Sequence, residues 1–242
     1  SASSTWPSST AGPGTNSRTP TRRSPSTQTS PTFSPSSRRW CWPGRLRSGR
    51  PPKSACVRAA AAFAQSGLQG RYAIGCFGRV RAQKGSDVFV EAMCRLLPRY
   101  PDFSAVIVGA IVPEQQGFAN GLKNRIEAAG LQSRIVITGE IEIEEVQRWY
   151  QRLTIYAFTS RNEGFGLTLI EAMSSGAALV ASRAGAAEFV VDDGVTGVLT
   201  PPGDVDALVA ALEPLMRDPA SAGAMGMRAR QRALAKFSLD AE

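Results

Sequence analysis

The chain has 242 residues, a formal net charge of +8 and no histidine, which excludes imidazole acid–base catalysis and His-ligated metal centres. The charge is unevenly spread: residues 1–58 carry ten Lys or Arg and no Asp or Glu, leaving 18 basic and 20 acidic groups to residues 59–242. No run of about 18 apolar residues is present to cross a bilayer, and the first segment lacks the apolar core of a signal peptide.

Of the first 54 residues, 31 are Ser, Thr or Pro, and Leu46 stands alone among Leu, Ile, Val and Met. Such a segment buries too little apolar surface to offset an ordering cost of about 1 to 2 kcal/mol per residue, so residues 1–58 are expected to be disordered. Arg22-Arg23 and Arg38-Arg39, beside Trp40 and Trp42, admit a nucleic-acid arm, but no groove-reading module follows, and no nucleic-acid partner is expected. The same composition results when GC-rich DNA is translated out of frame, and the chain opens at Ser1; a frame artefact is the preferred reading of this segment. Cys41, Cys56, Cys76 and Cys94 form no CxxC pair, so neither a zinc site nor a redox motif is indicated. They are expected to be free thiols in a reducing compartment, which places the chain in the cytoplasm or at the inner face of a membrane.

From about Arg71, short β-branched runs alternate with longer amphipathic stretches. Strands are expected at Ala73–Phe77, Ala105–Val108, Ile135–Thr138, Ile155–Phe158 and Leu179–Ala181, with helices over Ser86–Leu97, Gly117–Ala129, Ile143–Tyr150 and Leu167–Ser175. Gly197–Leu199 reads as a last strand. Pro201-Pro202-Gly203-Asp204 reads as a turn whose Asp caps a helix running to Met216. A final helix over Ala220–Lys236 carries Arg228, Arg230 and Arg232 on a face read as solvated. Strand and helix in alternation predict an α/β fold, a Rossmann-like parallel sheet with helices on both faces, over residues 71–242. Ligands of such sheets collect at the carboxyl ends of the strands, where the strand order reverses.

Two loops at strand ends hold the candidate chemistry. Gly78-Arg79-Val80-Arg81-Ala82-Gln83-Lys84-Gly85 follows the first strand and leads into a helix; two cations beside a helix N-terminus suit a diphosphate, although the spacing matches neither a Walker loop nor a dinucleotide fingerprint. The stretch "EGFGLTLIE" follows the fourth strand and places Glu163 in a loop and Glu171 on the helix behind it. Gly164 and Gly166 have no side chains to block a ligand, so the backbone N–H groups near Phe165 to Thr168 can approach phosphate or sugar oxygens. A glycosidase-type acid/base pair needs two carboxyls on opposite sides of one bond. Loop and helix acids are read instead as acceptors of sugar hydroxyls. Phosphate held by cations and N–H groups, with two polyols held by acids, describes a nucleotide-sugar.

The strings "GRVRAQKG", "ITGEI", "EGFGLTLIEAMSSGAALVAS" and "GAAEFVVDDGVTGVLTPPGD" occur in the order that resembles the C-terminal domain of retaining GT-B glycosyltransferases, the glycosyl transferases group 1 family, and most resemble lipopolysaccharide core mannosyltransferases. That resemblance implies that Arg79 and Lys84, beside Gly78, hold the donor diphosphate and the leaving nucleotide. It implies that Glu163 binds the transferred sugar, that Gly164, Phe165, Gly166 and Leu167 touch sugar and phosphate, and that Glu171 holds the ribose. The turn Gly139–Ile141 passes beside the base. It further implies transfer of a hexose, mannose from GDP-mannose foremost, to a lipopolysaccharide core or other envelope glycolipid at the inner membrane, with retention and without a bound metal or other cofactor. Such enzymes close a second, N-terminal domain over the substrates, and residues before Arg71 show no pattern for one. The chain is therefore expected to be truncated and inactive by itself; a non-catalytic nucleotide-sugar-binding module is the alternative.

Overall fold

The computed structural model describes residues 68–237. The expectations for residues 1–58, Cys41 and Cys56 among them, lie outside the described residues. Six strands run in chain order: β1 Tyr72–Phe77, β2 Phe103–Val108, β3 Ile135–Ile137, β4 Ile155–Phe158, β5 Ala178–Ser182 and β6 Gly197–Thr200. All pair in parallel in the order β3-β2-β1-β4-β5-β6. The expected Rossmann-like sheet is the one observed, with each strand within two residues of its expected bounds.

The strands read as unbroken apolar runs because both faces of the sheet are covered. Successive side chains go to opposite faces. Ile74 and Cys76, Ala105 and Ile107, and Ile155 and Ala157 enter one core, while Ala73 and Phe77, Val106 and Val108, and Tyr156 and Phe158 enter the other. The first core is closed by α1 (Ser86–Leu96), α2 (Gln116–Ala128) and, past β6, α6 (Val205–Arg217). The second is closed by α3 (Ile143–Arg152), α4 (Leu167–Ser175) and the one-turn helix α5 (Ala187–Val190). The last helix, α7 (Pro219–Lys236), gives Ala222 and Met225 to the first core and Ala229 and Ala233 to the second. Each fully buried large aliphatic or aromatic side chain contributes about 1.5 to 3 kcal/mol of transfer free energy to this packing.

Local signals set the helix ends. Asp204 accepts a hydrogen bond from the Ala207 N–H at 2.9 Å and caps α6, as its place after Pro-Pro-Gly predicts. Asp218 accepts from Ala220 and Ser221 N–H groups at 3.1 and 3.2 Å and caps α7, with Pro219 at the first helical position. At the other end of α1, Pro98 belongs to a 3₁₀ turn over Leu97–Arg99 that ends the helix. The helix α5 was not anticipated, because one turn is too short to carry a periodic signal.

Arg228 is exposed, in keeping with the expected mostly solvated face of α7, but Arg230 and Arg232 are half-buried, and all three hold backbone carbonyls. Arg228 Nε donates to the Val195 carbonyl at 2.8 Å, Arg232 reaches the carbonyls of Val190 and Phe189 at 2.9 and 3.1 Å, and Arg230 donates to the Ser174 carbonyl. Ser174 lies in the last turn of α4, and Phe189 and Val190 end α5. Such carbonyls have no partner within their own helix, and a guanidinium satisfies them.

Arg134 performs the same service at the far edge of the sheet. Just before β3, it donates to the carbonyls of Leu97 and Tyr100 at 2.7 and 2.6 Å and to that of Phe103. One side chain thus ties β3 to the connection between α1 and β2. Replacing Arg134 with Met takes one hydrogen bond from each of three carbonyls, of which Leu97 and Tyr100 keep a backbone N–H partner, and is expected to lower stability by about 1 to 3 kcal/mol. Urea unfolding monitored by circular dichroism checks this, and an unchanged midpoint removes the tether.

Candidate functional site

The strand order reverses between β1 and β4, so the loops that leave these two strands diverge and open a crevice at the carboxyl edge. Three backbone hydrogen bonds stitch the first wall together: Gly78 N–H to the Val108 carbonyl at 2.9 Å, Val80 N–H to Ala110 at 3.0 Å, and Gly109 N–H to Gly139 at 3.2 Å. The stitching depends on a bare backbone, since a Cβ on Gly109 would fall 2.1 Å from the Gly78 carbonyl oxygen.

The loop after β1 is also clasped to the loop after β4. Arg161 N–H donates to the Gln83 carbonyl at 2.8 Å, and its guanidinium makes a two-pronged pair with Asp87 in the first turn of α1, 2.7 Å for each bond. Thr159 Oγ1 donates to the Lys84 carbonyl at 3.0 Å. Gly85 sits between them at φ +68°, and a Cβ there would lie 1.9 Å from the Thr159 carbonyl oxygen. Gly85 thereby starts α1, and Gly166, at φ +75°, starts α4. Neither helix has a side-chain cap from its N-cap residue; at α1 the Asp87 carboxylate draws on the Asp87 and Val88 N–H groups, which leaves the start of α4 as the terminus suited to an anion.

The clasp brings together two residues read separately in the sequence. Lys84 Nζ donates to Glu163 Oε2 in a direct ion pair whose side chains are only 18% and 19% exposed. Ser160 Oγ also donates to Oε2, at 3.3 Å, and the Gly164 N–H donates to Oε1 at 3.3 Å. Burial pushes this carboxyl up, but Lys84, the Gly164 N–H and Ser160 outweigh it and hold Glu163 below the ordinary carboxylate range. Glu163 is thus an ionised acceptor, without a proton to give near neutral pH. Arg79 is exposed and makes no ion pair or hydrogen bond among the described residues.

Glu171 occupies the opposite electrostatic setting. It lies on α4 and lines a cavity of about 230 Å³ together with Phe77, Gly78, Gly109, Gly139 and Ile141. Burial pushes its carboxyl up, against a 2.7 Å hydrogen bond donated by Tyr150. Behind the wall, Cys76 lies 3.5 Å from Thr159 Oγ1, and burial pushes its thiol to about 11, so it is an inert core residue.

The fold therefore gathers Gly78, Gly139, Ile141 and Glu171 around one cavity, while Lys84, Glu163 and Gly164 form a charged cluster in the adjoining loops. Phe165 and Leu167 are 50% and 64% exposed at the start of α4. Sequence reasoning missed Arg161 and Asp87, which join the loops, and Tyr150, which lines the cavity beside Thr168. Tyr150 carried no signal beyond an aromatic at a helix end. Among the described residues, no group of three or more His, Cys, Asp or Glu could hold a metal ion, and no helix is long and apolar enough to cross a membrane.

Comparison with known proteins agrees with this architecture. The glycosyl transferases group 1 family matches residues 60–232. The lipopolysaccharide core biosynthesis mannosyltransferase LpcC of Rhizobium leguminosarum bv. viciae is 47% identical over 180 residues, which are 74% of this chain and 51% of that protein. The chain therefore spans about half the length of this relative. The crystallised C-terminal domain of a group 1 family protein, LpcC of Francisella tularensis, superposes with a TM-score of 0.72 at 31% identity, covering 75% of this chain and 94% of that one. Anabaena Alr3699/HepE in complex with UDP and glucose gives a TM-score of 0.69 at 26% identity, over 75% of this chain and 48% of that one. On the match across residues 60–232, this chain belongs to the glycosyl transferases group 1 family.

Proposed function

We propose that the described domain is the donor half of a retaining hexosyltransferase, and that its cleft takes a nucleotide-sugar, GDP-mannose foremost, for transfer to an envelope glycolipid. The observation that carries this reading is the crevice between β1 and β4, where Lys84, Glu163, free Arg79 and the uncapped N-terminus of α4 adjoin the cavity of Glu171. Mannose and a lipopolysaccharide acceptor are suggested by the name of the Rhizobium relative. A nucleotide in this cleft is supported by the UDP and glucose bound to the Anabaena neighbour.

In this reading a diphosphate lies across Arg79 and the first N–H groups of α4, and Lys84 moves from Glu163 to the phosphate oxygens. Glu163, released but still ionised, accepts hydroxyls of the transferred sugar. Negative charge that develops on the departing diphosphate is stabilised by two cations and a helix terminus already in place, and the acceptor hydroxyl approaches on the face that the leaving group vacates. Holding that hydroxyl about 3 to 3.5 Å from the anomeric carbon, away from water, is work for a second domain. The donor half by itself binds without transferring.

Arg79→Ala and Lys84→Ala are each expected to cost about 1 to 3 kcal/mol in nucleoside diphosphate affinity, measured by calorimetry; unchanged affinity in both removes the diphosphate assignment. Glu163→Gln separates the two roles of its pair. With Lys84 no longer held by a carboxylate, nucleoside diphosphate is expected to bind about three- to tenfold more tightly. Sugar transfer by the same variant, assayed with the chain joined to an N-terminal domain of the family and a glycolipid extract, is expected to fall by about a hundredfold. Normal transfer by that variant eliminates Glu163 as the sugar ligand, and robust transfer by the unjoined chain eliminates the need for a second domain.

A further inference from the structure

Glu171 projects toward the cavity from a carboxylate of which one oxygen is already taken. Its Oε2 accepts the Tyr150 hydroxyl at 2.7 Å, and its Oε1 has no partner among the described residues. Tyr150 comes from α3, is 2% exposed, and packs its ring against Phe77 at 4.3 Å and Tyr156 at 5.9 Å between centroids. Packing of this kind asks only for an aromatic ring, which phenylalanine supplies. A buried hydroxyl costs free energy unless it is hydrogen-bonded, so the oxygen is accounted for by its partner. Burial, Tyr156 and the charge of Glu171 push the phenol well above its ordinary range, so it is protonated and can only donate to an ionised Glu171.

We propose that Tyr150 is a positioning residue: its hydroxyl, fixed by the β1 and β4 aromatics, holds the Glu171 carboxyl with Oε1 presented to vicinal hydroxyls of a ligand in the cavity. This rests on the reading of the cavity as a nucleotide site. The sheet thus sets the direction of a carboxylate that belongs to the opposite helix. A glutamate on α4 without that tether has three side-chain torsions to settle at each binding event.

The groups that act on the pair are few. From β4 it faces Tyr156, which burial keeps protonated, and behind that lies the Cys76 thiol of β1, pushed to about 11. Neither titrates between about pH 5 and 8. Burial raises the Glu171 carboxyl and the Tyr150 bond lowers it. Removing the hydroxyl therefore moves Glu171 further up, and binding that needs the ionised carboxylate is lost at a higher pH as acidity increases.

The test is calorimetric titration of the full chain and its Tyr150→Phe, Glu171→Gln and doubly substituted forms. GDP and UDP, and the 2′,3′-dideoxy form of each, serve as probes between about pH 5 and 8. Tyr150→Phe is expected to weaken binding of the hydroxyl-bearing nucleotide about tenfold, to leave the dideoxy form unchanged, and to raise the pH midpoint of binding by about one unit. The double variant is expected to bind no more weakly than Glu171→Gln. If the wild type binds neither nucleotide, or does not prefer the hydroxyl-bearing form, the nucleotide reading falls and this inference with it. If Glu171→Gln erases that preference while Tyr150→Phe keeps it with an unmoved midpoint, the positioning role alone is overturned. Equal weakening of hydroxyl-bearing and dideoxy forms by Tyr150→Phe assigns the tyrosine to packing and overturns it as well.

Discussion

The pairing of β1 with β4 is the constraint from which the rest of this site follows. Only Ile74 with Ile155 and Gly75 with Tyr156 are in register there, so the two strands run together for a short distance before their loops part. On one side of the parting the chain continues toward β2 and β3, on the other toward β5 and β6. A connection cannot bridge a gap from which the chain departs in both directions, and the crevice stays open for a ligand. The divergence is then limited by Arg161, whose pair with Asp87 and backbone bond to Gln83 prevent the loops from drifting apart.

Within that frame, two glutamates eight positions apart acquire different properties from their surroundings. Glu163 has a cation, a hydroxyl and a backbone N–H at hand, and its charge is favoured in spite of burial. Glu171 has a single phenol, and burial prevails. The first is an anion already satisfied by the protein, so a ligand must compete for it. The second is under-satisfied and gains from any hydroxyl offered to its open oxygen. In the proposed reading one carboxylate exchanges partners on binding and the other acquires them, an asymmetry suited to a ligand that is charged in its middle and hydroxylated at both ends.

The absence of histidine leaves this arrangement without a side chain whose ordinary titration range is near neutral. What remains is fixed charge, helix termini and hydrogen-bond geometry. In the proposed reading such a site acts by stabilising charge where it develops, and it depends on rigidity. The clasp of the two loops, the bare backbone at Gly109 and Gly85, and the phenol under Glu171 all serve that end.

The strands, every helix longer than one turn and the charged residues beside them were legible in the residue pattern. A strand buried on both faces must be apolar along its length, a helix over a sheet must be apolar along one stripe, and Gly turns followed by helices announce anion-tolerant loops. Glu163, Lys84 and Arg79 were legible for that reason, as charged residues in loops that leave otherwise apolar strands, and Glu171 as an acid on the helix that follows one of those loops. Their partners follow from the three-dimensional arrangement instead. Lys84 and Glu163 are 79 residues apart, Arg161 and Asp87 74, and Tyr150 and Glu171 21. Their meeting depends on which strands become neighbours, a property of the sheet order rather than of any local window. The arginines of α7 show the same boundary: their spacing marks a helix face, but whether that face meets water or the orphan carbonyls of Ser174, Phe189 and Val190 is set by what the helix docks against.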